Sequence, residues 1–189
     1  MDLKDYKKKG SLVLVYTGEG KGKTSASIGL MARSLGGGWS VAFIQFIKTW
    51  NVGEHDFIHM IEPVFKKKLH FYKGGKGFYN AGKLSAKDVT EVEHKKAAEQ
   101  TYQEALKCVT SGKFDLVICD EINNAVHDKL LPKKKMENLI TKKHPKTSLC
   151  LTGRNFPKDL LPKIDIATDM TKIKHHFDDK YLANPGIDY

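Results

Sequence analysis

Residues 17–25 read TGEGKGKTS and follow the apolar run SLVLVY. Three glycines, two lysines and three hydroxyl side chains in nine residues are what a phosphate cradle needs. Glycines let backbone amides face an anion, and a helix starting behind them adds partial positive charge. Lys23 can neutralise phosphate charge, and the Thr24 hydroxyl can ligate Mg²⁺. The common pattern G-x-x-x-x-G-K-[ST] is met only by Gly22, Lys23 and Thr24. The position that calls for its first glycine holds Thr17. That departure argues against an ordinary nucleotide hydrolase. The plain alternative is a glycine-rich turn, but GKT between a strand and a helix is a specific signal.

Two further groups suit the same chemistry. The apolar run VIC ends in Asp120 and Glu121, the position from which a carboxylate supports a phosphate-bound cation. Taken alone, the pair reads better as a surface turn or helix cap, and beside the glycine-rich loop the balance reverses. In LTGR, Gly153 and Arg154 end another apolar run, and an arginine there can reach a polyphosphate. Arg33, on the helix after the loop, is a similar candidate. His55 and His59 have a zinc-ligand spacing in GEHDFIH, but the H-E-x-x-H form is absent and no zinc site is expected. His175 and His176 read as tail residues that orient the chain or touch a ligand. No Ser/His/Asp or Cys/His arrangement is evident.

The elements that must position these groups follow from hydrophobic patterning. Short apolar strands are expected at 11–16, 39–47, 69–72, 114–121, 147–154 and 164–170. Helices are expected at 24–35, stopped by GGG at 36–38, and at 132–144, with Met136, Leu139 and Ile140 inward. A helix capped by Ser85 with Asp88 would carry Val89, Val92, Ala98, Tyr102, Leu106 and Val109 on one face. A short helix is expected at PKDLLPK. Residues 48–84 read as irregular apart from the strand, with an exposed loop at 73–83. Strands that alternate with helices, and are apolar throughout, define an α/β fold. The sheet is mostly parallel, with helices on both faces. Ligands of such sheets bind beyond the carboxyl ends of the strands, where all three candidate groups sit.

The 189 residues are 40% hydrophobic and 29% charged, which suits one globular domain at 11–189 behind a basic extension at 1–10. No apolar run approaches the ~20 residues of a membrane span. MDLKDYKKKG lacks the apolar stretch of a secretory signal. Cys108, Cys119 and Cys150 read as reduced core thiols of a cytoplasmic protein. The net charge of +10 points to an anionic partner. The lysine runs at 7–9, 66–68 and 133–135 read as solvated surface, without the interleaved aromatics of a nucleic-acid platform.

From about Ser11 to Tyr189, the stretches YTGEGKGKTSASIGLMAR, FIQFIKTW, GEHDF, DLVICDEINNAV, LTGRNFPKDLL and KHHFDDKYLANPGIDY occur in one order. In that order the chain resembles ATP:corrinoid adenosyltransferases of the CobA type, which have a P-loop NTPase (RecA-like) fold. In that family the loop is likewise shortened and ATP lies in it reversed. The resemblance implies transfer of the 5′-deoxyadenosyl group of ATP to the cobalt(I) of a corrinoid, with triphosphate leaving. It implies ATP binding by Gly18, Glu19, Gly20, Lys21, Gly22, Lys23, Thr24 and Ser25, with Arg33 and Arg154. It implies Mg²⁺, or Mn²⁺ in its place, on Thr24 and Glu121 with Asp120 behind them. Lys23 and Phe78 would carry catalysis, Phe78 by holding the corrinoid without its lower axial ligand. Phe78, Tyr79 and Trp50 are the corrinoid candidates. Relatives carry Gly-Phe-x-Trp where this chain reads GFYN, so Asn80 stands in the tryptophan position and Tyr79 or Trp50 could substitute. The family's FIKG reads FIKT here. Cobalamin, cobinamide or cobyrinic acid diamide would be the cosubstrate. A flavin-type reductant protein and a second copy of the chain would be partners, and nucleic acid would not.

Three competing readings make different predictions. A P-loop ATPase or kinase would release ADP. A nucleic-acid-binding ATPase would bind with steep salt dependence. A family member without turnover would bind ATP or corrinoid and stop there.

Overall fold

The computed structural model describes residues 4–77, 79 and 88–189. The strands are β1 (Val13–Thr17), β2 (Val41–Gln45), β3 (Leu69–Lys73), β4 (Leu116–Asp120), β5 (Ser148–Thr152) and β6 (Ile166–Asp169). They form one sheet in the order β3-β2-β4-β5-β1-β6, parallel at every pairing. The expected α/β fold with a parallel sheet is what forms. The helices are α1 (Lys23–Gly36), α2 (Gly53–Phe65), α3 (Glu91–Thr110), α4 (Ile122–His127) and α5 (Lys133–Lys142).

Both faces of the inner strands β2, β4, β5 and most of β1 are covered, which explains why they read as apolar runs, whereas the edge strand β6 is exposed at all four residues. Alternate side chains serve opposite cores. Val15, Ile44, Val117, Cys119 and Leu151 pack with Ala98, Tyr102 and Val109 of α3 and Met136, Leu139 and Ile140 of α5. Leu14, Phe43, Ile118 and Cys150 pack on the other face with Met31 and Leu35 of α1 and Ile58 of α2. All three cysteines are buried and free. Burial above all pushes the Cys108 thiol up to about 12. No helix among the described residues is long and apolar enough to cross a membrane.

Three local expectations are corrected. The stretch 48–84 is not irregular, because Gly53–Phe65 is helical. Its apolar residues mislead: Met60 and Val64 are about three-quarters exposed, whereas His55 and Ile58 are the buried positions. Pro63 sits in the last turn of this helix. The second correction is the start of α3. Thr90 caps it, its backbone N–H donating to Glu93 Oε2 at 2.9 Å while its hydroxyl accepts from Glu93 N. The cap expected at Ser85 lies outside the described residues. The third correction is the face of α3. Val92 is exposed, and small and polar residues (His94, Ala97, Thr101 and Ala105) share the buried stripe with Ala98, Tyr102, Cys108 and Val109.

Candidate active site

A cavity of about 840 Å³ opens at the carboxyl ends of β1, β4 and β5. That is the place where a parallel sheet presents loop amides and strand-end side chains together. Glu19 to Ser25 line it, with Glu121 after β4, and Gly153 and Arg154 after β5. The structure therefore brings together the three groups singled out by type and spacing.

The loop geometry accounts for Thr17. Its hydroxyl accepts a hydrogen bond from the backbone N–H of Phe156 at 3.2 Å, tying β1 to the segment after β5. The turn starts one residue later, at Gly18, whose φ is +97°. Gly22, with φ +106°, closes it and precedes α1. Between them Gly20 lies flat on the chain beyond β6, its N–H donating to the Met170 carbonyl at 2.6 Å. A Cβ on Gly20 would stand 2.5 Å from that same oxygen, a collision with backbone. Gly20→Ala is expected to displace the loop and abolish measurable ATP binding by calorimetry, while the fold survives by circular dichroism.

Lys23 is already directed inward. Its ammonium donates to the carbonyls of Gly18 at 2.7 Å and Gly20 at 2.5 Å. Burial, and then Arg154, hold its pKa below the ordinary lysine value. Arg154 forms an exposed ion pair with Glu19 at 3.4 Å. Its turn is stapled to α4: Asn123 donates to the Gly153 carbonyl at 2.9 Å, and Asn124 Oδ1 accepts from Arg154 N at 2.7 Å.

The acid pair divides into two roles. Asp120 is fully buried. Its Oδ1 accepts from the Thr152 hydroxyl at 2.6 Å, and its Oδ2 accepts from Gln45 Nε2 at 3.2 Å and the Thr24 hydroxyl at 3.3 Å. Glu121 turns the chain with φ +62°, and its N–H donates to the Thr152 hydroxyl at 2.9 Å. Glu121 Oε2 is buried without a hydrogen-bond partner. Burial, and then Asp120, raise the Glu121 carboxyl to about 7, against the pull of Lys48 and Lys23. An orphaned carboxylate oxygen of Glu121 and the Thr24 hydroxyl, lining one cavity, are a donor set that fits a hard divalent cation.

The structure adds groups that residue types alone did not mark. Lys48 and Glu54 form an ion pair at 2.6 Å in the wall. Burial opposes the Lys48 ammonium, but Glu121, Asp120 and Glu54 outweigh it and hold its pKa above the ordinary value. His127 and Asp128 of the α4 region also line the cavity. So do Ile187, Asp188 and Tyr189, where Asp188 pairs with Lys21 at 2.8 Å. The stretches FIKT, INNAVH and GIDY belong to the family resemblance, but spacing assigns them no site role, and folding places them here.

Other candidates fall elsewhere. Arg33 lies in the last turn of α1 and does not line the cavity. Ten residues of helix, at ~1.5 Å rise each, set it roughly 15 Å from Lys23. Tyr79 lines the cavity and Trp50 does not. Phe78 and Asn80 lie outside the described residues. His55 is buried against Gln45 while His59 is exposed, so the pair does not converge. His175 lines the cavity and stacks on His176.

Comparison with known proteins places this geometry. The family model of ATP:corrinoid adenosyltransferase BtuR/CobO/CobP matches residues 9–189. A corrinoid adenosyltransferase of Sinorhizobium sp is 32% identical over 94% of this chain and 80% of its own. The corrinoid adenosyltransferases of Escherichia coli K12 and, as CobA, of Salmonella typhimurium LT2 are 31% and 30% identical, each over 94% of this chain and 85% of theirs. The flagellar accessory protein FlaH of Methanocaldococcus jannaschii superposes with a TM-score of 0.49 at 13% identity, over 85% of this chain and 71% of its own. That likeness is too slight to bear on function. Because the match spans the shortened loop, the acid pair and the tail that closes on them, this chain belongs to the ATP:corrinoid adenosyltransferase family and is a transferase.

Proposed function

We propose that this chain transfers the 5′-deoxyadenosyl group of ATP to the cobalt(I) of a corrinoid and releases triphosphate. The observation that carries the reading is that the shortened loop, Lys23, Glu121 and Tyr79 line one cavity. In the reaction a cobalt–carbon bond forms at the 5′ ribose carbon as the carbon–oxygen bond breaks. Cobalt supplies the electron pair, and the oxygen leaves with its own pair on triphosphate. No proton moves, so the protein's tasks are alignment and stabilisation of the leaving charge.

The residues divide accordingly. Lys23 exchanges the Gly18 and Gly20 carbonyls for phosphate oxygens, and Arg154 exchanges Glu19. Loop amides from Glu19 to Ser25 complete the cradle. Thr24 and Glu121 would hold Mg²⁺ or Mn²⁺, which supplies further positive charge to the triphosphate, with Asp120 fixing Thr24 from behind. The corrinoid would enter on the Tyr79 side, with Phe78 and Trp50 as the other aromatic candidates and Phe78 displacing the lower axial ligand. A flavin-type reductant protein and a second copy of the chain complete the proposed cytoplasmic system.

One observation favours a second reading. Burial and Asp120 raise the Glu121 carboxyl, just beyond β4, to about 7, which would suit a general base for water in hydrolysis to ADP. An anaerobic assay with Mg·ATP and chemically reduced cobalamin separates the two. Loss of the cobalt(I) absorption, a light-sensitive adenosylated product and free triphosphate are expected. ADP without a corrinoid product would assign the site to hydrolysis.

A further inference from the structure

We propose that His55 and Gln45 are positioning residues: a buried hydrogen-bond chain running from α2 through Gln45 to Asp120 that orients the Thr24 hydroxyl toward a divalent cation. This rests on the reading of Thr24 and Glu121 as cation ligands.

The chain admits one arrangement. Gln45, the last residue of β2, is fully buried, as is Asp120, and His55 is 1% exposed. Buried polar groups need partners, so each atom must be satisfied. The Asp120 carboxylate accepts only. Its Oδ2 lies 3.2 Å from the Gln45 amide, so the NH₂ end must face it. A flipped amide would set two acceptor oxygens against each other. Gln45 Oε1 therefore faces His55 Nε2, at 2.5 Å. An oxygen there requires a hydrogen on Nε2. A neutral imidazole carries one hydrogen, so Nδ1 must be bare, and His55 Nδ1 is the ring atom buried without a partner. Burial, and then Lys73, hold the ring pKa down at about 4, which keeps it neutral. The Phe71 ring, 5.6 Å away, holds the imidazole from the side.

The consequence reaches the phosphate loop. With Thr152 and Gln45 fixing both oxygens of Asp120, Oδ2 is held where the Thr24 hydroxyl can donate to it, at 3.3 Å. Committing that proton leaves the Thr24 lone pairs for a cation. Groups behind metal ligands typically set affinity by roughly 10–100-fold through such orientation. Without the His55 donor the Gln45 amide can rotate, and Asp120 loses a fixed partner.

The test measures Mn²⁺ binding to the full chain at saturating ATP by electron paramagnetic resonance. Turnover, corrinoid KM and thermal midpoint are measured alongside it. His55→Phe keeps a ring but removes the donor. Gln45→Met keeps the length but removes both polar ends. His55→Gln restores an N–H near the Nε2 position. About tenfold weaker Mn²⁺ binding is expected for the first two, at unchanged corrinoid KM, with most of the affinity recovered in His55→Gln. Wild-type binding in His55→Phe, or a His55→Gln variant no better than His55→Phe, overturns the proposal. Imidazole ¹⁵N shifts of the wild type provide a check independent of variant folding: a hydrogen on Nε2 is expected, and one on Nδ1 overturns it. If the wild type bound no Mn²⁺ with ATP and adenosylated no corrinoid, the functional reading would fall, and the ¹⁵N shifts would still judge the relay.

Discussion

Lys23→Ala is expected to lower kcat/KM for ATP by about 10²–10³, or ~3–4 kcal/mol, the usual cost of losing one preorganised charge-stabilising donor. The measurement is initial-rate adenosylation of chemically reduced cobalamin, which keeps reduction of cobalt out of the rate. The size of the effect follows from preorganisation. Lys23 sits half-buried across the loop, with its ammonium on two loop carbonyls. It needs only to exchange those oxygens for phosphate. Alanine leaves the leaving triphosphate without that charge and both carbonyls without their donor. Lys23→Arg should not restore the rate, because a planar guanidinium cannot occupy the space of a compact ammonium between Gly18 and Gly20. A rate for Lys23→Ala within threefold of wild type would remove Lys23 from the chemistry and weaken the phosphate-cradle assignment.

Glu121→Gln is expected to act on the cation instead. It keeps the shape of the strand end and removes the negative charge behind Oε2, the oxygen left without a partner. The Mg²⁺ or Mn²⁺ concentration for half-maximal rate should rise at least tenfold at pH 7.5. The pH dependence should change as well. Burial and Asp120 raise the Glu121 carboxyl from 4.5 to about 7, so near neutrality a cation must displace a proton. In the wild type, cation affinity should weaken as pH falls below about 7, by up to tenfold per unit, and in Glu121→Gln this slope should flatten.

Stability without a cation runs the other way. A carboxyl whose pKa is raised on folding binds its proton more tightly in the folded chain. Its contribution is therefore complete below about 4.5 and is lost as pH rises through about 7. The thermal midpoint of the cation-free wild type should fall across that window more steeply than that of Glu121→Gln. Equal slopes would mean that Glu121 is not the titrating group.

Much of this molecule is legible along the chain because the relevant physics is local. A glycine-rich turn between an apolar strand and a helix is built from consecutive residues, so the turn closed by Gly22 ahead of Lys23 and Thr24 is visible without any tertiary contact. Strands buried on both faces are apolar through their middle, so β2, β4 and β5 are visible as runs that end in the buried polar residues Gln45, Asp120 and Thr152. The inward stripe of α5 obeys the helical repeat, and Met136, Leu139 and Ile140 are buried as its spacing requires.

The failures share a physical cause. Helix α2 escaped notice because what it buries includes a histidine, and a buried histidine is stable only beside a partner that the sequence does not identify. That partner, Gln45, lies on another element. The face of α3 was misjudged because alanines and Thr101 are buried there while the larger Val92 stays in solvent. Arg33 shares its helix with the loop but points from the other end, and only the length of α1 says so.

By itself, then, the sequence determined the parallel α/β fold, the glycine-rich loop before α1 and the acid pair at the end of β4. The tertiary structure decided how that pair divides, with Asp120 tied to Thr24, Thr152 and Gln45 while Glu121 keeps an oxygen open. It also decided that Lys48, Glu54 and the tail at Asp188 close the same cavity. Local geometry depends on neighbours in the chain, and those can be read in order. Burial, hydrogen-bond partners and shifted acidity depend on residues 31, 75 or 167 positions away, and only folding sets them side by side.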